Sequence, residues 1–406
     1  MDALKYFHKF IGIALVIAFL MGCATLVATP ILTPSPTGTP QMPLNTPLLP
    51  PPTLPQPATP PGQQAKPHLL RFIQTVAVTP DEKFLGGGFV RIGHVPTTDR
   101  MVVTFGPTKF AQQSRDCPSG PAYKEYTLDM QSTGKSGIFH CDQEWGGDVG
   151  GIFVDIFYYY VRMVRQGEEE GWYIAKYNAV TWEKITDTFL PLDFPRDQPG
   201  DMMVALVNGS LDISAEYLPS GTPTWVDIGS ATYHEFFTPD LQFIEKKILS
   251  DTPHICGTAM IFVDGIYYFI ALTAVRGDVI VMKYDQNWKY LGMKELIKQG
   301  NWSEGVAFDG NYFFVSYQDI SQRLNASLRP NIHLAVFDLN WNLLENVAVT
   351  DYKPEENMFG GRPYVLLYGN RLYVSYDLSP INPKTDMDDP GRLQAYVSVY
   401  ELTPDQ

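Results

Sequence analysis

Hydrophobic and polar residues alternate in short stretches along the chain from about residue 69 to its end. The most regular copy covers residues 305–350 and reads as strand, tight turn, strand, loop, strand, tight turn, strand. Val, Ile, Tyr and Phe dominate the alternating positions, which is the period-two pattern of β-strands. Asp-Gly and Gly-Asn pairs separate the first two strands. These pairs predict tight turns, because such turns need positive backbone angles that Gly and Asn tolerate. Helical periodicity is nearly absent, so the sequence predicts an all-β domain.

This four-strand pattern occurs six times. The copies begin near residues 87, 150, 200, 257, 305 and 361. A radial array of small sheets suits such a repeat, because a closed ring leaves only short and protected sheet edges. The predicted fold is therefore a six-bladed β-propeller of four-stranded antiparallel blades.

The two ends of the domain predict how the ring closes. The last repeat stops at its third strand, residues 395–401, whereas an extra strand, residues 70–79, precedes the first repeat. That extra strand ends in Val-Ala-Val-Thr, which is also the sequence of the fourth strand at residues 347–350. We therefore expect the N-terminal strand to complete the last blade and tie the ring shut.

The first 22 residues have the pattern of a secretion signal. Lys5 and Lys9 precede an apolar run over residues 11–19, which is too short to span a bilayer. The run ends in Leu20-Met-Gly-Cys23, which resembles the lipobox of bacterial lipoproteins. The resemblance implies cleavage before Cys23, acylation of Cys23 with chains such as palmitate, and an extracytoplasmic protein anchored to a bacterial membrane. An ordinary signal peptide with an incidental Cys is the alternative.

Residues 23–67 begin with Cys23, which is predicted to be lipidated, and continue as a segment rich in Pro and Thr. Such a composition cannot bury a core, so we expect a disordered stalk with polyproline II character. At about 3.1 Å per residue, the stalk could hold the propeller up to roughly 100 Å from the membrane. The propeller domain is predicted over residues 68–406.

The net charge and the cysteines limit which partners and sites we expect for this chain. A formal net charge of −14 argues against nucleic acid, whose binding needs clustered Lys and Arg. Cys117 and Cys141 are expected at the same end of the first blade, so a disulfide between them is reasonable outside the cytoplasm. Cys256 has no evident partner and is expected to be a small buried residue. The spacing of His and Cys fits no zinc pattern, and no metal site is predicted.

Strand order also predicts where a ligand would bind. The loops from the second to the third strand, and those from one blade to the next, share one end of the ring, which we call the top face. Loops on a rigid scaffold are the usual place for binding. The residues predicted to bind a ligand there are Trp145, His254, Trp302 and Arg362. The Trp rings could stack on a sugar, whereas packing of both rings between blades, and a structural role for His254, are the alternatives.

Three carboxylates near the top face, Asp148, Asp201 and Glu304, allow a second hypothesis. A propeller glycosidase needs one acid and one nucleophile or base at the mouth of its channel. No motif identifies the pair, so these are weak catalytic candidates and the sequence leans away from an enzyme. The main hypothesis is a recognition module of the cell envelope that binds a glycan, a peptide or an envelope protein. A glycoside hydrolase or lyase, and a structural spacer or assembly subunit, are the alternatives, and the oligomeric state stays open.

One loop offers oxygen donors at near-alternate positions, Asp386, Asp388 and Asp389, which suggests a weak Ca²⁺ site. The loop lacks the later bidentate Glu of an EF-hand, so a polar turn is the favoured interpretation and no cofactor is predicted.

Overall fold

A computed structural model describes most of the C-terminal part of the chain. The chain divides into two units, Met1–Gly62 and Gln63–Gln406, and every described residue belongs to the second. The described residues are 69–79, 84–85, 88–114, 117–141, 149–166, 169–191, 202–217, 230–273, 277–321, 323–324, 327–382, 387–388 and 392–403. The predicted signal peptide, Cys23 and the predicted stalk lie outside them. Within these ranges no helix has the length and apolar character needed to cross a membrane.

Antiparallel strands form nearly all of the described structure. The first strand, β1 (Leu69–Ala77), precedes blade 1, which contains β2 (Phe84–Leu85), β3 (Arg91–Val95), β4 (Arg100–Ser114), β5 (Cys117–Tyr126) and β6 (Ser132–Ile138). Blade 2 contains β7 (Val149–Val154), β8 (Phe157–Gln166), β9 (Glu169–Asn178) and β10 (Lys184–Pro191). Blade 3 contains β11 (Met202–Val207), β12 (Ser210–Tyr217), β13 (Ser230–Phe237) and the first part of β14 (Phe243–Val263).

The second part of β14 opens blade 4, which continues with β15 (Ile266–Thr273), β16 (Val279–Asp285) and β17 (Tyr290–Ile297). Blade 5 contains β18 (Gly300–Phe308), β19 (Phe313–Asp319), a short hairpin of β20 (Arg323–Leu324) and β21 (Ser327–Leu328), then β22 (Asn331–Phe337) and β23 (Leu343–Ala348). One turn of 3-10 helix, Pro354–Glu356, leads to blade 6, which contains β24 (Met358–Tyr368), β25 (Arg371–Asn382), β26 (Met387–Asp388) and β27 (Gln394–Thr403).

Strand β14 joins two blades without a turn. It pairs with β13 between Phe243 and His254, and with β15 between His254 and Val263. The repeat pattern predicts two separate strands here. The difference arises because extended backbone near His254 pairs on both sides, so one strand is the outer edge of blade 3 and the inner edge of blade 4.

The N-terminal strand closes the ring, as predicted. β1 pairs with β27 in antiparallel register from Leu69 opposite Thr403 to Ala77 opposite Tyr396. The last sheet therefore has the order β1, β27, β25, β24, with the N-terminal strand outermost. The prediction of a six-bladed β-propeller of four-stranded antiparallel blades is confirmed.

The turn between the third and fourth strands places a large apolar side chain beneath the core. The residues at this position in blades 1 to 5, with φ between 55° and 63°, are Met130, Trp182, Leu241, Trp288 and Trp341. Left-handed backbone costs such a residue about 1–2 kcal/mol. In blade 5 the Asp338 carboxylate accepts the backbone N–H groups of Asn340 and Asn342 at 2.9 and 2.7 Å, which holds the turn. Burial of Trp341, stacked on Phe313 with 4.1 Å between ring centroids, offsets the cost.

Hydrophobic side chains of neighbouring blades fill the space between them. Between blades 4 and 5, Tyr268 packs on Phe313 and Trp341 with centroid distances of 5.3 and 5.4 Å. The inner strands approach one another closely, since a Cβ atom on Gly305 of β18 would lie 2.3 Å from the backbone nitrogen of Val365 in β24. This contact explains why that repeat begins with glycine. The core therefore lies between the blades.

Candidate functional site

The predicted top face contains a pocket in blade 2. Because the strands alternate in direction, β8 ends, β9 begins and β10 ends at this face. The pocket has a volume of about 480 Å³. The residues that line it are His140, Arg162, Val164, Tyr173, Asp187, Thr188 and Phe189.

Cross-strand register places the pocket residues of blade 2 in one row. Arg162 lies opposite Tyr173, and Tyr173 lies opposite Phe189. Directly opposed residues of antiparallel strands project to the same face of a sheet. Tyr160, two residues before Arg162, is on this face and packs against Phe139 of blade 1 with 5.6 Å between ring centroids. The row therefore faces the cleft between blades 1 and 2.

Aromatic side chains form the floor of this cleft. Phe139 of blade 1 contacts Tyr158, Tyr160 and Tyr177 of blade 2 with centroid distances of 5.2 to 5.6 Å. Trp182, from the bottom turn of blade 2, stacks on Tyr123 of blade 1 at 4.1 Å. These packed rings hold the two blades in place, so the pocket above them has rigid walls.

A hydrogen-bonded network forms one wall. The Tyr173 hydroxyl donates to Asp187 Oδ2 at 2.8 Å, and Lys184 Nζ donates to the same oxygen at 2.5 Å. Burial, followed by the bond to Asp187, raises the pKa of the Tyr173 phenol above its ordinary value of 10.0. The hydrogen bonds from Lys184 and Tyr173 lower the pKa of Asp187. At neutral pH this wall therefore presents a protonated phenol and an ionised carboxylate that is paired with a lysine.

His140 forms the blade 1 side of the pocket, just after β6. Its Nδ1 atom lies 2.8 Å from the Tyr177 hydroxyl, and its ring lies 5.3 Å from the ring of Tyr173. The next residue, Cys141, is disulfide-bonded, which restrains the segment that carries His140. The predicted partner Cys117 is the first residue of β5, and its pairing with Cys141 stays a prediction.

His254 lies between blades 3 and 4 in a buried polar column. Its side chain is fully buried, hydrogen-bonds to Thr232 and meets the edge of Phe269 at 5.5 Å. Below it, His234 Nδ1 lies 2.9 Å from Asp212 Oδ2, and both of these side chains are also fully buried. This position matches the structural alternative for His254, and its role in binding a ligand stays a prediction.

Arg362 lies where blade 6 meets blade 1. Its guanidinium pairs with the buried Asp377 at 3.2 Å and lies over the Phe89 ring, 4.7 Å from the ring centroid. The backbone of Arg362 is left-handed, with φ of 49°. The contact with Phe89 connects the last blade to the first, and a ligand role for Arg362 stays a prediction.

Four other predicted residues lie within described strands. Trp302 and Glu304 lie within β18, and Cys256 lies within β14. Asp388 lies in β26, opposite Ile381 of β25. The predicted residues outside the described ranges are Trp145, Asp148, Asp201, Asp386 and Asp389. Within the described ranges, no group of three or more His, Cys, Asp and Glu side chains could hold a metal ion.

Sequence reasoning missed Arg162, Tyr173 and Asp187. One signal was present in β8. Tyr158, Tyr160 and Arg162 occupy every second position of this strand, so they lie on the same face of the sheet. An arginine that continues a row of core aromatics indicates the place where the core ends and a polar cleft begins. Tyr173 carries no such signal, since it resembles the many other aromatic residues of the strands.

Comparison with known proteins identifies no family for this chain. No known family matches the chain, and no curated protein matches it. Its structure is similar to a subtype N10 neuraminidase-like protein of A/little yellow-shouldered bat/Guatemala/060/2010, with a TM-score of 0.45 and 10% identity over 80% of this chain and 98% of that one. It is also similar to an exo-1,5-alpha-L-arabinanase from a bovine ruminal metagenomic library, with a TM-score of 0.37 and 11% identity over 62% of this chain and 91% of that one. At this level of similarity, the pocket must be understood from its own residues.

Proposed function

We propose that the protein is a recognition module of the cell envelope that binds a glycan in the pocket between blades 1 and 2. The observation that carries this proposal is the composition of the pocket, where aromatic rings stand beside fixed hydrogen-bonding groups. Sugars present apolar ring faces and many hydroxyls. Tyr173 and Phe189 supply surfaces for those faces, and Arg162, His140 and Asp187 supply hydrogen-bonding partners.

Binding is a better fit than hydrolysis for these residues. A glycosidase uses two carboxyl groups, one of which keeps a proton. Among the described residues lining the pocket, Asp187 is the one carboxylate, and its lowered pKa keeps it ionised. The raised pKa of Tyr173 keeps that phenol protonated, which disfavours a nucleophilic role. A hydrolase or lyase that uses Asp148, Asp201 or Glu304 remains the alternative hypothesis.

The predicted anchor is compatible with binding at the top face. The chain enters the ring at Leu69, opposite Thr403, at the bottom ends of β1 and β27. In this proposal a lipidated Cys23 and a proline-rich stalk precede this strand in the chain. In this proposal the protein is extracytoplasmic, the membrane is its first partner and an external glycan is its second.

A glycan array tests the proposal. The mature chain is applied to the array as the native sequence, as Phe189→Ala and as Phe243→Ala, and retained sugars are analysed by mass spectrometry. Phe243 is a matched control, because it is 51% exposed on β14 at the bottom half of blade 3. We expect intact sugars to be retained by the native and Phe243→Ala chains and lost by Phe189→Ala.

The other outcomes separate the alternatives. Cleaved sugars would contradict the binding proposal and favour a hydrolase or lyase. A blank array for all three chains would contradict glycan recognition for the sugars tested and favour a spacer or a protein partner.

A further inference from the structure

We propose that the pocket selects glycans through a free hydroxyl that donates a hydrogen bond to Asp187, and that Lys184 positions the Asp187 carboxylate for this contact. This inference rests on the proposed function and names the class of sugar, one whose hydroxyl at the contact is neither methylated nor acylated. It follows from the hydrogen bonds that the two carboxylate oxygens accept, from the place of Asp187 in the pocket and from the chemistry of a carboxylate.

The two carboxylate oxygens of Asp187 differ in their partners. Oδ2 accepts hydrogen bonds from the Tyr173 hydroxyl at 2.8 Å and from Lys184 Nζ at 2.5 Å. Oδ1 accepts none from the part of the chain that the structure describes. One donor is on β9 and the other is on β10, so a rotation of the carboxylate would break at least one of these bonds. The carboxylate is therefore held in one orientation.

The other oxygen, Oδ1, is available to a ligand. Asp187 lines the pocket, and its side chain is 37% exposed. Phe189 follows two residues later on β10 and lies on the same face of the sheet, opposite Tyr173 of β9. A sugar ring that packs on Phe189 and Tyr173 would thus bring its edge, where the hydroxyls are, beside Asp187.

A carboxylate at this place demands a donor from the ligand. The hydrogen bond from Lys184, followed by that from Tyr173, lowers the pKa of Asp187, so the group is ionised at neutral pH. An ionised carboxylate accepts hydrogen bonds and donates none. A sugar hydroxyl can donate to it, whereas a methoxy or acyloxy group at the same position has no hydrogen to donate. The pocket should therefore discriminate against sugars that carry such a group at the contact.

The test measures affinities by ligand-observed NMR titration of the full-length chain in a detergent without sugar groups. The probes are methyl β-glucoside, methyl β-galactoside and methyl α-mannoside, with derivatives in which one hydroxyl at a time is methylated or replaced by hydrogen. A hydrogen bond to a charged group gives roughly a tenfold to hundredfold preference. We expect a parent sugar to bind, and one of its positions to lose about tenfold or more in affinity in both derivatives.

Asp187→Asn assigns this preference to Asp187. Tyr173 and Lys184 both donate to the same oxygen, so they should keep the amide oxygen on their side and leave the amide NH2 group for the ligand. An NH2 group donates to a hydroxyl and to an ether oxygen alike. The preference for hydroxyl over methoxy should therefore disappear in this variant, and thermal unfolding checks that the variant is folded.

Lys184 variants test the positioning role. Lys184→Met removes one of the two donors, so affinity for the parent sugar should fall several-fold while the methoxy derivative binds as before. Lys184→Arg restores a donor and should recover part of the preference. Lys247→Met is the matched control, because Lys247 pairs with Glu245 at 2.7 Å on β14 and its side chain is also about one-third exposed. The control should change neither affinity.

The outcomes separate this inference from the proposed function. If a parent sugar binds but no single hydroxyl matters, or if Asp187→Asn keeps the preference, the inference is overturned and glycan binding stays in place. A preference that Lys184→Met leaves unchanged overturns the positioning role. Binding of none of the sugars overturns the inference and also contradicts glycan recognition for these sugars.

Discussion

The Arg362 guanidinium lies 3.2 Å from the Asp377 carboxylate, which is completely buried at the junction between the last blade and the first. The other carboxylate oxygen of Asp377 accepts the backbone N–H of Phe89, which leads into blade 1, at 3.3 Å. Ser375, two residues earlier on β25, donates to the carbonyl of Val90 at 3.0 Å. Polar contacts thus reinforce the strand exchange that closes the ring.

We expect Asp377→Asn to destabilise the protein by about 3 kcal/mol, because it removes the charge that compensates a mostly buried arginine. Asp351→Asn is the control. Asp351 pairs with Lys353 on the surface, where both side chains are more than half exposed, so its loss should have little effect on stability. Urea unfolding of both variants measures the two costs. Equal losses would mean that the buried pair does not stabilise the junction.

Trp341 offers a test of the bottom turns. Replacing this buried ring with alanine should cost about 3–5 kcal/mol. Trp341→Gly should be more stable than Trp341→Ala by about 1 kcal/mol, because φ at this position is 61° and glycine adopts that conformation freely. Leu339→Ala, at an exposed position of the same turn, should have little effect. Chemical unfolding measures the order of stability, and an alanine variant as stable as the glycine variant would rule out backbone strain at this turn.

Buried tyrosines predict a loss of stability at alkaline pH. Burial raises the pKa of Tyr158, Tyr317 and Tyr376 from 10.0 to about 12. The unfolded chain then releases these protons from pH 10 upward while the folded chain retains them, so the free energy of unfolding should fall as the pH rises from 10 to 12. Tyr317→Phe should show a smaller decline than the native chain between pH 9 and 11. Identical declines in urea titrations at the two pH values would contradict this.

The disulfide predicts a definite peptide map. Cys141 is disulfide-bonded, and Cys117 is the partner expected from the sequence. Mass spectrometry of a non-reduced digest should therefore contain a peptide that joins residues 117 and 141. Cys117→Ser and Cys141→Ser should each cost roughly 3 kcal/mol, and the double variant should cost no more than either alone. A peptide that joins Cys141 to Cys256 would refute the pairing.

The fold could be predicted because its signals are local. Alternation over a few residues identifies each strand, and the shared Val-Ala-Val-Thr sequence identifies the strand that closes the ring. The continuous strand β14 was missed because its two halves pair with different blades. A local sequence pattern does not indicate such pairing. Likewise, Arg162 and Phe189 share a row only through the register of β8, β9 and β10, and each residue alone resembles an ordinary strand position.

The predicted ligand residues also depend on packing that the sequence does not show. Strand order predicts that a ligand binds at the top face, and a pocket among the described residues lies there. It could not rank the residues there, because burial depends on how neighbouring blades pack. His254 is enclosed between two blades and Arg362 is paired with Asp377 of its own blade, whereas the described pocket lies at blade 2.

A crystal structure of the protein with an oligosaccharide retained on the array tests the central claim most directly. The account predicts density for the sugar between blades 1 and 2, with a ring face on Phe189 and Tyr173. Density at the mouth of the central channel, near Glu304 or Arg362, with the cleft at blade 2 empty, would contradict it.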